Sequence, residues 1–89
     1  MSKYYLAVDI GASSGRHILA HLEDGSIQLE EIHRFANGMT KRQGNLTWDP
    51  VRLFAEIKRG MAKCKEAGKI PESVSIDTWG VDYVLIDSE

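Results

Sequence analysis

The stretch Tyr4-Tyr-Leu-Ala-Val-Asp-Ile-Gly-Ala-Ser-Ser-Gly-Arg16 decides the reading of this chain. Tyr4 to Val8 is an uninterrupted apolar run, which predicts a central strand with apolar residues on both faces. Asp9 puts a carboxylate at the end of that strand. Gly11 to Gly15 predicts a turn, Ser13 and Ser14 add hydroxyl donors, and Arg16 closes it. Beyond the turn, Ile18, Ala20 and Leu22 alternate with His17, Leu19 and His21, the period of a second strand. A carboxylate, a nest of backbone N–H groups and a guanidinium fork suit a phosphate and its magnesium ion.

The elements around this stretch follow from local signals. Asp24-Gly25 predicts a tight hairpin turn into a third strand, Ile27 to Phe35, with a bulge where the alternation slips at Glu30-Glu31. Asn37 to Asn45 is polar and reads as a loop. Asp49 and Pro50 announce a helix as N-cap and first helical residue. Val51, Phe54, Ile57, Met61 and Cys64 form its expected apolar stripe, Gly68 its end, and Pro71 bars continuation. Val74 to Ile76 reads as a fourth strand and Tyr83 to Ile86 as a fifth, giving the order β-β-β-α-β-β. A right-handed crossover through the helix makes the fourth strand parallel to the first. Asp9 and Asp77 then share one sheet edge, where open α/β sheets bind ligands.

Two familiar phosphate loops are excluded. A P-loop needs four residues between its glycines and then a lysine, but Gly11 and Gly15 enclose three and no lysine follows. A dinucleotide fingerprint leads into a helix, whereas a strand follows here. A second turn, Asp77-Thr-Trp-Gly-Val-Asp82, offers an aromatic wall in Trp79 and close backbone approach at Gly80. Asp82 offers acceptors for two hydroxyl protons. This is equipment for a sugar or polyol. Asp9, Glu56 and Asp77 also leave open a two-metal nuclease reading. Against it stand a net charge of −2 and the Ser/Gly/Arg turn.

Bulk properties bound the rest. The 89 residues allow one small domain, marginal by itself, and 43% hydrophobic with 27% charged residues is ordinary for a globular chain. The acidic balance gives no reason to expect nucleic acid. The lone Cys64 excludes an internal disulfide and points to a reducing, cytoplasmic setting. No apolar run reaches the roughly 20 residues of a membrane span. His17 and His21 lie about 13 Å apart along a strand, too far for a ligand pair, and read as surface residues. Cys64 reads as core, and Trp48 as a packing residue.

Asp9 to Arg16 resembles the first phosphate motif of the sugar-kinase, Hsp70 and actin superfamily. The element order is similar to its ribonuclease-H-like half-domain, the actin-like ATPase unit with a mixed sheet. Ile32-His-Arg-Phe35, Asn37-Gly38, Thr47-Trp-Asp49 and Ile76-Asp-Thr-Trp-Gly-Val-Asp82 narrow the resemblance to the FGGY carbohydrate kinases, over essentially the whole chain.

The resemblance implies ATP-dependent, magnesium-assisted phosphorylation of L-rhamnulose at its 1-hydroxyl, in rhamnose catabolism. Gly11, Ala12, Ser13, Ser14, Gly15 and Arg16 would hold the ATP phosphates, and Asp9 the metal. Trp79, Gly80, Val81 and Asp82 would meet the ketose. Another ketose or polyol kinase, for fuculose or xylulose, and an ATPase switch of the actin/Hsp70 type remain alternatives. Family members are several times longer, with the general base and the adenosine pocket in later segments. The expectation is therefore that residues 1–89 are the N-terminal part of the first kinase domain. No catalytic base falls within them, and the isolated piece is inactive. With its sheet incomplete, that piece is expected to self-associate.

Overall fold

The computed structural model describes residues 3–80. Its main sheet is mixed, in the order β3 (Ser26–Ala36), β2 (Ser14–Glu23), β1 (Tyr4–Ile10), β6 (Pro71–Thr78). Strand β1 (Tyr4–Ile10) pairs antiparallel with β2 (Ser14–Glu23), and β2 pairs antiparallel with β3 (Ser26–Ala36). On its other side β1 pairs parallel with β6 (Pro71–Thr78), as the crossover argument expects. A helix, α1 (Pro50–Glu66), joins the two halves and packs mainly on β3. The fifth strand expected at Tyr83 to Ile86 lies outside the described residues.

The turn chemistry acts where it was read. Asp24 and Gly25 both take positive φ, 51° and 78°, so the β2–β3 hairpin closes on a turn whose twist matches its strands. The bulge falls at Ile32. His17 faces His33 and Ile18 faces Glu31, leaving Ile32 as the extra residue, one place beyond the expected Glu30-Glu31. The polar stretch after Asn37 is more ordered than a loop. It holds a small hairpin, β4 (Thr40–Arg42) and β5 (Asn45–Thr47), turned at Gln43 and Gly44 with φ of 52° and 82°.

Helix α1 begins as its sequence requires. The Asp49 carboxylate accepts from Arg52 N–H at 3.0 Å, and Pro50 contributes no donor where none is needed. It ends in a Schellman motif. Gly68 N–H bonds Lys65 O and Lys69 N–H bonds Cys64 O, with Gly68 at φ 74°. Lys63 and Lys65 lie in the last turn, where cations suit the dipole.

The core is one-sided. Leu6, Val8, Ile10, Leu19, Phe35 and Cys64 are buried, with Tyr4, Ile32, Leu53, Ile57 and Trp79 packed around them. Strand β1 alternates buried and exposed residues, so it is central by pairing but not apolar-packed on both faces: Tyr5 is 44% exposed.

The expected helix stripe is corrected too. Leu53, Glu56, Ile57, Gly60 and Cys64 face the sheet, while Val51, Phe54 and Met61 remain exposed. Beneath the helix sits a polar cluster. His17 is fully buried rather than superficial, and its Nε2–H donates to Ile57 O at 3.0 Å. Burial holds the His17 ring below its ordinary pKa of 6.5, partly offset by that carbonyl. Lys63 Nζ donates to His33 Nδ1 at 2.8 Å, which leaves the proton on Nε2, facing Glu56 Oε2 at 3.7 Å. Glu56 also pairs with Arg59. Burial raises the Cys64 thiol, an inert core sulfur as expected.

Candidate phosphate and sugar edge

The ends of β1 and β6 that lead into the two turns lie side by side, because these strands run parallel. Asp9 lies beside Asp77 and Ile10 beside Thr78. Antiparallel pairing on the other side puts Arg16 opposite Asp9 and Arg34 opposite Arg16. Directly paired residues point to the same face. A row of charges, Arg34–Arg16–Asp9–Asp77, therefore crosses all four strands at one level. It lies on the face opposite the helix, since Val8 and Ile10 on either side of Asp9 are buried and Asp9 is not.

The row's two ends differ from its centre. Arg34 is held by Glu31, Nη2 to Oε1 at 2.6 Å, and this contact lowers the carboxyl pKa of Glu31 and raises that of Arg34. Asp77 accepts from the N–H of Thr78 at 3.1 Å. Arg16 and Asp9 are only loosely paired, with Nε and Nη2 each 3.4 Å from Oδ2 and both side chains about half exposed. Such a contact contributes about 0–1 kcal/mol. A phosphate competing for the fork displaces little.

The turn is shorter than Gly11 to Gly15. Ser14, Gly15 and Arg16 already belong to β2, and only Gly11, Ala12 and Ser13 connect the strands. Gly11 N–H bonds Ser14 O at 2.8 Å. No residue from Gly11 to Arg16 has positive φ, so the donors stand on a hairpin and not on the alternating-handed nest that the glycines implied. Gly15 has a different task. A β-carbon there would lie under 3.0 Å from the Phe35 ring, so this glycine admits Phe35 to the core.

At the second turn, Trp79 packs against the core and its ring lies 4.4 Å from that of Trp48, tilted by 42°. Trp48 precedes the cap Asp49, so the aromatic pair ties the second turn to the start of α1. Gly80 is exposed, with open space where a β-carbon would stand. Val81 and Asp82 lie outside the described residues. The sequence reading missed the tie to Trp48, which only the long crossover brings about.

Glu56 does not join Asp9 and Asp77. It is buried with His33 on the helix side of the sheet, and no group of His, Cys, Asp and Glu suited to a metal ion occurs among the described residues. The nuclease constellation is thereby removed. Among the described residues no helix is long and apolar enough to cross a membrane.

The fold defines the class first: a mixed α/β unit in which one helix crosses between the parallel strands β1 and β6. The Aquifex aeolicus Ppx/GppA protein superposes over 88% of this chain and 27% of its own, with TM-score 0.62 at 20% sequence identity. Sequence then narrows it. The chain is 56% identical over 84 residues to the rhamnulokinase of Halalkalibacterium halodurans. It is 47% identical over 85 residues to that of Bacillus subtilis and 49% over 87 to that of Ligilactobacillus salivarius. These matches take in 94–98% of this chain, so the resemblance to carbohydrate kinases holds along its length and is to the rhamnulokinases. The chain spans 18% of the length of these relatives. No family model matches it.

Proposed function

We propose that this chain is the phosphate- and sugar-facing segment of an ATP-dependent kinase that phosphorylates L-rhamnulose at its 1-hydroxyl. On this reading residues 1–89 begin the first of two domains, on a ribonuclease-H-like half-domain, in a cytoplasmic enzyme of rhamnose breakdown. The observation that carries it is the charge row at the shared sheet edge, with Arg16 and Asp9 loosely paired beside the Ser-rich turn and Gly80 one strand away.

The residues fit the groups required. Asp9 is an exposed carboxylate, the hard oxygen donor that Mg²⁺ takes directly or through water. When bound, the metal neutralises charge on the phosphoryl group being transferred. Arg16 leaves Asp9 and forks onto phosphate oxygens. Ala12, Ser13 and Ser14 present N–H and hydroxyl donors from the hairpin tip. Gly80 leaves space for the ketose to approach backbone, and Trp79, fixed by Trp48, keeps that approach in place. The acceptor hydroxyl needs a base, which this reading puts outside residues 1–89.

The test is ADP release by the full-length protein that carries this chain, with magnesium-ATP and L-rhamnulose, L-fuculose, D-xylulose, L-ribulose or glycerol. Highest turnover on L-rhamnulose supports the reading of both turns. Highest turnover on another acceptor keeps the kinase and overturns the sugar assignment. Release unaffected by any sugar leaves an ATPase switch.

A further inference from the structure

Asn37 touches the phosphate turn twice. Its backbone N–H donates to Ser13 O at 3.0 Å, and its side-chain Nδ2–H donates to Gly11 O at 2.9 Å. Those carbonyls flank the connecting residues Ala12 and Ser13. Asn37 is itself held, because Ala36 pairs with Ser14 at the end of the β2–β3 ladder and its carbonyl accepts from Arg52 Nη2 at 2.7 Å.

We propose that Asn37 is the positioning residue of the phosphate turn, holding the Gly11 and Ser13 carbonyls away from the anion so that the turn's N–H groups face it. The reason lies in peptide geometry. In a planar trans peptide the C=O and the following N–H point in opposite directions. A Gly11 carbonyl aimed at Asn37 therefore aims Ala12 N–H away from Asn37, and the Ser13 carbonyl does the same for Ser14 N–H. The Asn37 amide also competes with Ser14 N–H for the Gly11 carbonyl, the partner a closed turn would give it. Without Asn37 a carbonyl dipole can swing towards the phosphate and repel it. This role rests on the kinase reading above.

The side chain is only half-buried and borders an open cleft of about 240 Å³ lined by Gly38, Met39, Thr40, Asp49 and Arg52. Truncating it removes one hydrogen bond without emptying a packed site. Its backbone bond to Ser13 survives any such substitution.

The experiment measures KM for MgATP, KM for the ketose, and the thermal midpoint of the full-length enzyme. Asn37→Ala is expected to raise KM for MgATP about tenfold, as the loss of one hydrogen bond does. The ketose KM and the thermal midpoint stay near their original values. Asn37→Asp is expected to be worse, because a carboxylate repels both the Gly11 carbonyl and the phosphate. Unchanged KM for MgATP in Asn37→Ala overturns the proposal. So does a rise of both KM values in step with a lowered midpoint, which marks a merely structural residue. Arg16→Ala in the same assay separates the two readings. If it raises KM for MgATP while Asn37→Ala does not, only the role of Asn37 fails. If neither variant affects KM for MgATP, the phosphate assignment fails and the role of Asn37 falls with it.

Discussion

Gly60 of α1 lies directly over the ring of His17, so closely that a β-carbon at Gly60 would stand under 3.0 Å from three ring atoms. The pairing lets a helix rest on a strand that carries a buried imidazole. It also explains a glycine in mid-helix, which otherwise costs about 1 kcal/mol against alanine.

Gly60→Ala tests this contact. On an exposed helix face the change would stabilise by about 1 kcal/mol. Here the ring cannot yield, since its Nε2 is bonded to Ile57 O, so the helix must lift. The expected net result is a loss of about 1–3 kcal/mol, the range for overpacked sites. A thermal midpoint equal to or above that of the parent would show that the helix accommodates the methyl group.

Acid should loosen the same packing. His17 is held below its ordinary pKa of 6.5 by burial. His33, Glu56 and Lys63 are the charged or titratable groups around it. Above pH 6.5 the ring is neutral folded and unfolded, and titration changes nothing. As the pH falls below 6.5 the unfolded chain takes up the proton first, so stability falls. The thermal midpoint of the parent should therefore drop between pH 7 and pH 5 more than that of His17→Gln, whose amide can still donate to Ile57 O. Parallel pH profiles for the two proteins would exclude His17 as the source.

Kinetics should separate the two turns. Asp9→Asn keeps the size of the side chain but removes the charge, and is expected to lower kcat by about 100-fold or more with little change in ketose KM. Gly80→Arg fills the open space at the second turn and should raise the ketose KM first. If both variants move the same constant, the division of labour between Asp9 and Gly80 is wrong.

The isolated 89-residue chain should self-associate. Val51, Phe54 and Met61 on the helix, and Leu22, Ile27 and Leu29 at the far end of the hairpin, are 41–79% exposed. Among the described residues β6 stands at the edge of the sheet, with an exposed Ile76. Apolar surface beside an open edge invites a second copy. Sedimentation is expected to show concentration-dependent oligomers, and a monomer at high concentration would contradict this.

The limits of legibility in the sequence follow the range of the physics. Asp24-Gly25, the Asp49-Pro50 start and the Gly68 stop depend on a few neighbouring residues, and all stand where they were read. The parallel pairing of β1 with β6 followed from the length and hand of one crossover. The Gln43-Gly44 hairpin carried a local signal too, but its strands are three residues each and polar, too short for a period to show. Burial of His17, His33 and Glu56 was hidden for a different reason. Each is polar, so hydropathy gave no sign of burial, and only mutual contact and the notch at Gly60 make burial tolerable. Gly15 was assigned to the turn for its flexibility, whereas its role depends on Phe35, 20 residues away in sequence and adjacent in space.

The Trp48–Trp79 contact has an optical consequence. The chain has only these two tryptophans, and their rings lie 4.4 Å apart across the crossover. At such a separation the indoles exchange excitation and share one local environment. Emission from this segment is therefore a gauge of a single geometric fact: whether the turn after β6 is seated against the start of α1. On the proposed reading a sugar bound beside Trp79 would disturb that gauge directly, and the segment would then carry an intrinsic, label-free signal of occupancy.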